Sequence, residues 1–440
     1  MNVCVVALGK IGLPLAVQIA SKGHRVRGVD ISERTVDLVN RGVEPFPGEA
    51  ELDVRLKQVI EDGSLSATTD GTGAVAESEA IVIVVPLIVD DELRPDFSAM
   101  DAATRTIAQG LKPGTLVSFE TTLPVHTTRQ RFGPMLEEGS GLTVGEDLFL
   151  CHSPERVYSG RIFSDLRRYP KLVGGTDPAS AQRSVEFYEA ILDFDERDDL
   201  ARPNGVWDLG SAEAAELAKL METTYRDVNI GLANEFAIFS DRIGIDVYKV
   251  IEASNSQPFS HVHQPGIAVG GHCIPVYPRF YLSTHADAQL PASARDVNLG
   301  MPAYAVGRLQ ETVGELNGLQ VAVLGAAYRG GVKETAFSGV FGTVAALDAA
   351  GAIPLVEDPL YSDEELQSMG LTPYHLGEPV DAAIVQADHQ EYRALSPQEL
   401  PGIRALVDGR AFVDAAGWDS VPRIVIGAPG DARGADAGRR

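Results

Sequence analysis

Hydrophobic positions fall into short continuous runs separated by stretches of helical period, the rhythm of parallel strands covered by helices. Val3 to Leu8 is an apolar, β-branched run that reads as a buried strand. A helical pattern follows from Leu13 to Lys22, then a second strand from His24 to Val29. Further strands are expected at Ala80 to Val85, Leu116 to Phe119 and Leu148 to Cys151. From Ser211 to about Arg242 one long helix is predicted, with Glu213 and Glu216 near its start and Gly244 after its end. Leu217, Met221, Val228, Leu232 and Phe239 form its apolar stripe, and Lys219, Thr223 and Arg226 lie on another face. The strand–helix rhythm then returns: Gln320 to Leu324, a helix from about Ser338 to Ala350, and strands at Ile353 to Val356, Ala382 to Val385 and Ala405 to Val407.

The loops after these strands carry the candidate chemistry, because ligands of open α/β sheets bind beyond the carboxyl ends of strands. Ala7-Leu8-Gly9-Lys10-Ile11-Gly12 is the Rossmann G-x-G-x-x-G fingerprint with its first glycine replaced by Ala7. Gly9 lets the backbone approach a pyrophosphate at a helix N-terminus, and Gly12 allows close helix–strand packing. Asp30 ends the second strand, where a carboxylate takes ribose hydroxyls and repels a 2′-phosphate, so NAD is favoured over NADP. Pro86 ends the next strand. Thr122 and Glu155 follow later strands; each reads either as a site residue or as an ordinary turn residue or solvated acid. Arg161, Arg167, Arg168 and Lys171 form a basic cluster that either meets an anion or is plain surface. Lys219 is either a solvated helix charge or points into a site. Gly325 to Gly331 is a second glycine-rich turn, suited to cradling another phosphate group.

The predicted fold class is therefore α/β, with two Rossmann-like doubly wound domains joined by a long central helix and a small helical dimerisation domain. The expected boundaries are 1–205, 206–305 and 306–428, with a disordered tail at 429–440 that is rich in Gly, Ala, Asp and Arg.

Composition narrows the partners. The 440 residues are 44% hydrophobic and 22% charged, ordinary for a globular chain with ample core. The net charge of −25 argues against nucleic acid or an anionic membrane, though not against an anionic small ligand in a locally positive pocket. No run approaches a membrane-spanning length, and no signal-peptide pattern opens the chain. Three cysteines offer no disulfide framework, which fits a cytoplasmic setting. Cys4 and Cys151 read as core thiols. Cys273 stands in Gly270-Gly271-His272-Cys273-Ile274-Pro275, either a nucleophile approached closely by ligand or a small buried thiol in a tight turn. A nucleophile must be a thiolate, so its surroundings would have to assist.

Taken together, the chain resembles the UDP-glucose/GDP-mannose dehydrogenase family over nearly its whole length. The resemblance rests on Leu8 to Ala16, Glu120-Thr121-Thr122-Leu123-Pro124, Ser153-Pro154-Glu155-Arg156-Val157, Lys219-Leu220-Met221-Glu222 through Ala233-Asn234-Glu235, Gly270 to Cys273, and Gly325 to Gly331. Arg226-Asp227-Val228-Asn229-Ile230 is similar to the branch that oxidises UDP-N-acetyl-hexosamines, notably UDP-N-acetyl-D-mannosamine.

The resemblance implies a four-electron oxidation of a sugar C6 alcohol to a carboxylate with two NAD⁺ and no metal. Cys273 would capture the aldehyde, Lys219 would stabilise developing charge on oxygen, Glu155 would be general base on the hydrolytic water, and Thr122 would position that water. NAD would meet Gly9, Lys10, Ile11, Gly12, Asp30, Pro86 and Thr122. The UDP-sugar would meet Glu155, Arg156, Lys219, Thr223, Arg226, Gly270, Gly271 and Arg329. The expected partner beyond substrate is a second copy in a homodimer.

The chain departs from the family pattern at Thr223, Tyr277 and Ala336, where Asn, Asp and Arg are frequent, and at Gln257-Pro258-Phe259, where His-Pro-Arg is. Arg226, Arg279 and Arg329 are candidates to compensate. UDP-glucose oxidation, or a sugar-nucleotide-binding protein with reduced turnover, are the alternative readings.

Overall fold

A computed structural model describes residues 1–90 and 92–429. The expected tail at 429–440 lies outside these apart from Pro429. The chain divides into two compact units: Met1–Glu222 with Arg279–Thr284, and Thr223–Pro278 with the chain from His285 onward.

The first unit is built on an eight-stranded sheet. Its strands are β1 (Asn2–Val6), β2 (Arg25–Val29), β3 (Leu65–Thr68), β4 (Ala80–Ile83), β7 (Leu116–Phe119), β8 (Phe149–His152), β9 (Lys171–Gly175) and β10 (Val206–Asp208). A two-stranded hairpin, β5 (Ile88–Val89) and β6 (Pro95–Asp96), lies outside it. The order is β10-β9-β8-β7-β4-β1-β2-β3, parallel throughout except where β8 meets β9. The strand order reverses direction at β1 and β4, the crevice where such sheets bind ligands. Val3, Val5, Leu15 and Ile19 are fully or almost fully buried in this core. Burial of each such side chain contributes roughly 2 kcal/mol.

The second unit contains a five-stranded, all-parallel sheet: β11 (Gln320–Leu324), β12 (Ile353–Glu357), β13 (Ala382–Val385), β14 (Leu406–Asp408) and β15 (Arg423–Val425). The order β12-β11-β13-β14-β15 is the other common doubly wound arrangement. Sequence reading found four of these five strands. It missed β15, a three-residue strand too short to show a pattern.

The long helix, Ala212–Ile243, inverts the usual amphipathic logic. Its expected apolar stripe points outward, with Met221, Leu232 and Phe239 all exposed. Small and polar residues are buried instead, among them Thr223, Asp227, Gly231, Asn234 and Ala237. In the second unit the reason is visible. A Cβ on Gly231 would sit 3.0 Å from the Ala294 Cβ on helix Gln289–Val313, tighter than ordinary packing, so glycine eases that approach. The polar groups pair across the same seam. Asp227 meets Arg295 at 2.5 Å, and Asn298 donates to Asp227 Oδ1 at 2.8 Å. Asn234 donates to Asn298 Oδ1 at 2.8 Å and accepts from the Gly266 amide at 2.9 Å. Buried polar groups paired in this way favour one helix register, because a slip would break the ion pair and the hydrogen bonds together. Among the described residues, no helix is long and apolar enough to cross a membrane.

Candidate active site

The turn after β1 is shaped by three residues. Ala7 adopts φ +76°, the left-handed conformation that glycine usually supplies at the first position of the fingerprint. A Cβ on Gly12 would run into the Ala7 carbonyl oxygen, whereas the space around Gly9 is open to 4 Å. Asp30 closes the turn from the next strand end: its Oδ2 accepts from the Leu8 amide and its Oδ1 from the Ser32 amide, both at 2.9 Å. Helix Gly12–Ser21 begins here with no side-chain cap at Ile11 and no acid in its first turn. Its first amides and positive dipole end therefore suit a phosphate group. The open face of Gly9 is the gap a pyrophosphate needs, so the residues present fit a dinucleotide. Lys10 is exposed at the turn. Pro86 is exposed after β4, and Thr121 ties that strand end to its own by donating to the Val85 carbonyl at 2.6 Å.

Beyond β7, β8 and β9 a buried charged cluster forms. Lys171 donates to Glu120 Oε2 at 2.7 Å and to Glu155 Oε2 at 3.0 Å. The Tyr188 hydroxyl donates to Glu120 Oε1 at 2.6 Å and meets the Ser118 hydroxyl at 2.7 Å. Glu155 Oε1 accepts from the amides of Arg156 (2.6 Å) and Val157 (3.2 Å). Burial pushes the Glu120 carboxyl up to about 7, against the pull of Lys171. Burial also works on Glu155, but Lys171 and the Arg156 amide outweigh it and hold its carboxyl below the usual range. Lys171 is buried yet kept charged, because the two acids more than offset its desolvation.

Lys219 belongs to this same cluster: its Nζ donates to the Glu155 carbonyl oxygen at 2.7 Å. Arg156 reaches Glu222 at 2.5 Å and donates to the Pro170 carbonyl. Thr122 is buried just past β7. The structure thus brings Lys219, Glu155 and Arg156 together. Thr223, buried, follows Lys219 by one helical turn, and half-buried Arg226 comes next. Cys4 and Cys151 are core thiols, pushed by burial to about 12 and about 11.

Cys273 belongs to the second unit and is exposed. Its carbonyl accepts from the Tyr277 amide at 2.9 Å, so the chain turns helical directly after it. The two glycines before it are explained by packing. A Cβ on Gly270 would lie 2.5 Å from the Tyr328 Cβ, and Gly271, at φ +88°, rests against the Tyr328 ring. The Gly271 amide donates to the Ala336 carbonyl at 2.8 Å, and His272 lies 3.3 Å from Glu334. Arg329 is exposed, with its Nε donating to the Tyr328 hydroxyl at 3.0 Å.

The second glycine turn is closer to closed on itself than the first, although nothing lies within 4 Å of a Cβ on Gly331. Asp358 Oδ2 already accepts from the amides of Ala326 (2.8 Å) and Ala327 (2.9 Å) and lies 3.1 Å from His389 Nε2. The Gly330 amide donates to Asp388 at 2.9 Å. A Cβ on Gly325 would strike Ala387, and one on Gly330 would strike the Asp388 carbonyl. These glycines serve the turn's own packing. The next helix, Gly339–Ala349, starts well beyond the turn with its own cap, Ser338.

Sequence reasoning gave Glu120 and Tyr188 no individual role and placed Lys171 in a basic cluster that either meets an anion or is plain surface. A signal was present. Glu120 ends one apolar run and Lys171 opens another, Lys-Leu-Val-Gly-Gly, so opposite charges flank buried strands. The basic cluster disperses: Lys171 turns inward, while Arg161 pairs with Asp165 and Arg167 with Asp195.

Comparison with known proteins places this geometry. Three regions match models of the UDP-glucose/GDP-mannose dehydrogenase family: the NAD binding domain at 1–192, the central domain at 213–299 and the UDP binding domain at 322–416. The chain is 35% identical to a UDP-N-acetyl-D-mannosamine dehydrogenase of Pyrococcus horikoshii, over 94% of this chain and 96% of that one. It is 31% identical to an NDP-N-acetyl-D-galactosaminuronic acid dehydrogenase of Ralstonia nicotianae, over 96% and 97%. A solved UDP-D-ManNAc dehydrogenase from Pyrococcus horikoshii superposes with a TM-score of 0.86 at 32% identity, covering 98% of this chain and 100% of that one. Two doubly wound sheets, a dinucleotide turn on the first and matches across all three regions lead to one conclusion: the chain belongs to the UDP-glucose/GDP-mannose dehydrogenase family, as an NAD-dependent nucleotide-sugar dehydrogenase.

Proposed function

We propose that the protein oxidises the C6 alcohol of a UDP-N-acetyl-hexosamine, with UDP-N-acetyl-D-mannosamine the first candidate, to the uronate. The observation that carries the reading is Lys219 Nζ seated 2.7 Å from the Glu155 carbonyl, beside a Glu155 carboxylate that Lys171 keeps charged. That pairing supplies a cation for developing oxyanion charge and a base for water. The names of the 35% and 31% identical relatives support the acetamido-hexosamine class.

In this mechanism the alcohol loses a hydride and a proton to give an aldehyde. The Cys273 thiolate adds to the aldehyde carbon, forming a thiohemiacetal. Loss of a second hydride leaves a thioester. Water, deprotonated by Glu155 and positioned by Thr122, cleaves the C–S bond and releases acid and thiol. NAD supplies the hydride acceptor for both oxidations. Gly9 to Gly12, Asp30 and Pro86 would hold it, the turn suiting its pyrophosphate and the acid its ribose. Arg156, Thr223, Arg226, Gly270, Gly271 and Arg329 contact the UDP-sugar.

Residues 1–205 carry NAD, 206–305 the helical dimerisation region and 306–428 the UDP-sugar. The occupant proposed for the exposed apolar stripe Tyr225, Leu232, Phe236, Phe239 and Ile243 is a second copy of the chain, and the setting proposed is cytoplasmic. The stripe is spaced seven, four, three and four residues apart, a coiled-coil-like seam.

The test is a panel of UDP-sugars with NAD⁺, counting NADH per sugar. Two NADH per UDP-N-acetyl-D-mannosamine supports the reading. Turnover confined to UDP-glucose, or none with any sugar, defeats it. Cys273→Ala is expected to abolish uronate formation, and acid made at a normal rate would refute the covalent route.

A further inference from the structure

The cluster around Glu155 contains more charge than general-base chemistry requires. A lone carboxylate at the strand ends would serve as base. Instead Glu155 shares Lys171 with a second, fully buried acid, Glu120, and Glu120 shares a hydroxyl chain of Tyr188 and Ser118. Burying a lysine between two acids is a costly way to gain stability, since an apolar replacement often does as well. The arrangement therefore calls for another reason. Geometry gives one: Glu155 has one oxygen held by two backbone amides and the other by Lys171, so its carboxyl plane cannot rotate.

We propose that Lys171, bridging Glu155 and Glu120, is a positioning residue of the reaction: it fixes the Glu155 carboxyl group and balances its charge. This rests on Glu155 being the base. Glu120 is the second acceptor of Lys171, and the Tyr188 hydroxyl holds Glu120 in place. The other titratable and charged groups facing the cluster fit this picture. Cys151 is a buried neutral thiol, and His152 is buried and neutral, pushed down to about 3. Lys219 contacts the Glu155 carbonyl, and Arg156 is matched by Glu222. Lys171 also lies 4.9 Å from the centre of the Tyr188 ring, so the same side chain that orders Glu120 orders Lys171.

The experiment measures acid formation against pH with NAD⁺ and whichever UDP-sugar yields most NADH. Lys171→Met is expected to move the acid limb of kcat/KM up by about one to three pH units, because Glu155 loses its cation. At pH 7 kcat should fall at least about tenfold while KM changes by less than about twofold. Lys171→Arg should restore the limb and most of kcat, which a purely space-filling role would not do. A Lys171→Met profile and kcat like those of the parent overturn the proposal. Should Lys171→Met fail to fold by circular dichroism, Glu120→Gln carries the test. It is expected to lower kcat at pH 7 by about threefold or more with KM changed by less than about twofold, because Lys171 loses the charge of its second partner, and a parent-like kcat overturns the proposal. Glu155→Gln separates the two readings. If it is inactive while Lys171→Met is normal, only the Lys171 role falls; if it still makes acid at the parent rate, both fall.

Discussion

The two glycine turns follow the same kind of strand in the same kind of sheet, and they use their own amides differently. After β1, Gly9 faces open space, the helix begins at once and its end is uncapped by side chains. After β11, Gly325 and Gly330 are filled by Ala387 and Asp388, the amides of Ala326 and Ala327 are taken by Asp358, and the following helix caps itself. In the first turn the acid from the neighbouring strand, Asp30, takes one turn amide; in the second, Asp358 takes two and reaches His389 as well. Glycine spacing therefore does not define an anion site. What defines it is whether the chain has already satisfied the turn's own donors.

Variants can break or sharpen this contrast. The largest effects should come from Gly12→Ala and Gly330→Ala, each of which drives a methyl into a backbone carbonyl. Overpacking of that kind costs about 3 kcal/mol in urea unfolding. Only Gly12→Ala should also abolish NAD binding, and loss of NAD affinity in Gly330→Ala would dissolve the distinction.

Asp358→Asn is expected next, at about 2 kcal/mol, since a buried acceptor for two amides is weakened. Burial raises the Asp358 carboxyl, but hydrogen bonds from His389 and the Ala327 amide outweigh it and hold it below the usual range. Its stabilisation is thus present above the unfolded carboxylate range and lost as pH falls through the folded value. The gap between parent and variant stability should therefore narrow below about pH 4.

Gly9→Ala should be the reverse case. With nothing near its Cβ, melting should be unchanged within a degree or so, yet NAD affinity should fall about tenfold, roughly 1.4 kcal/mol by calorimetry. Ala7→Gly should be smallest, a stabilisation of less than about 1 kcal/mol, because relief at φ +76° is partly offset by a looser unfolded chain. A clear loss of stability would mean that the Ala7 methyl packs usefully.

Much of this was legible in the sequence. Strand, turn, helix and acid stand in order from Val3 to Asp30, because local period and glycine placement act over short range. The glycine pair made Cys273 legible as either a nucleophile or a small buried thiol in a tight turn, and the thiol is exposed. The role of those glycines was not legible: they accommodate Tyr328, 57 residues beyond Gly271, and spacing carries no record of such packing. Lys171 was read in a basic cluster that either meets an anion or is plain surface, because a lysine's ordinary place is in water. Only the fold brings Glu120 and Glu155 within 3.0 Å of it. The long helix misled for a related reason, as an apolar stripe shows which face avoids water and not whether this chain or another covers it.

Ala7 carries one more consequence. A glycine there would leave the turn many conformations in the free protein, all but one of which dinucleotide binding would have to remove. Alanine in a left-handed well, locked by the Val29 carbonyl on its amide at 2.8 Å, narrows that ensemble during folding. The ordering cost is thus met before any cofactor arrives, and association with NAD begins from a preorganised turn with a smaller conformational entropy loss.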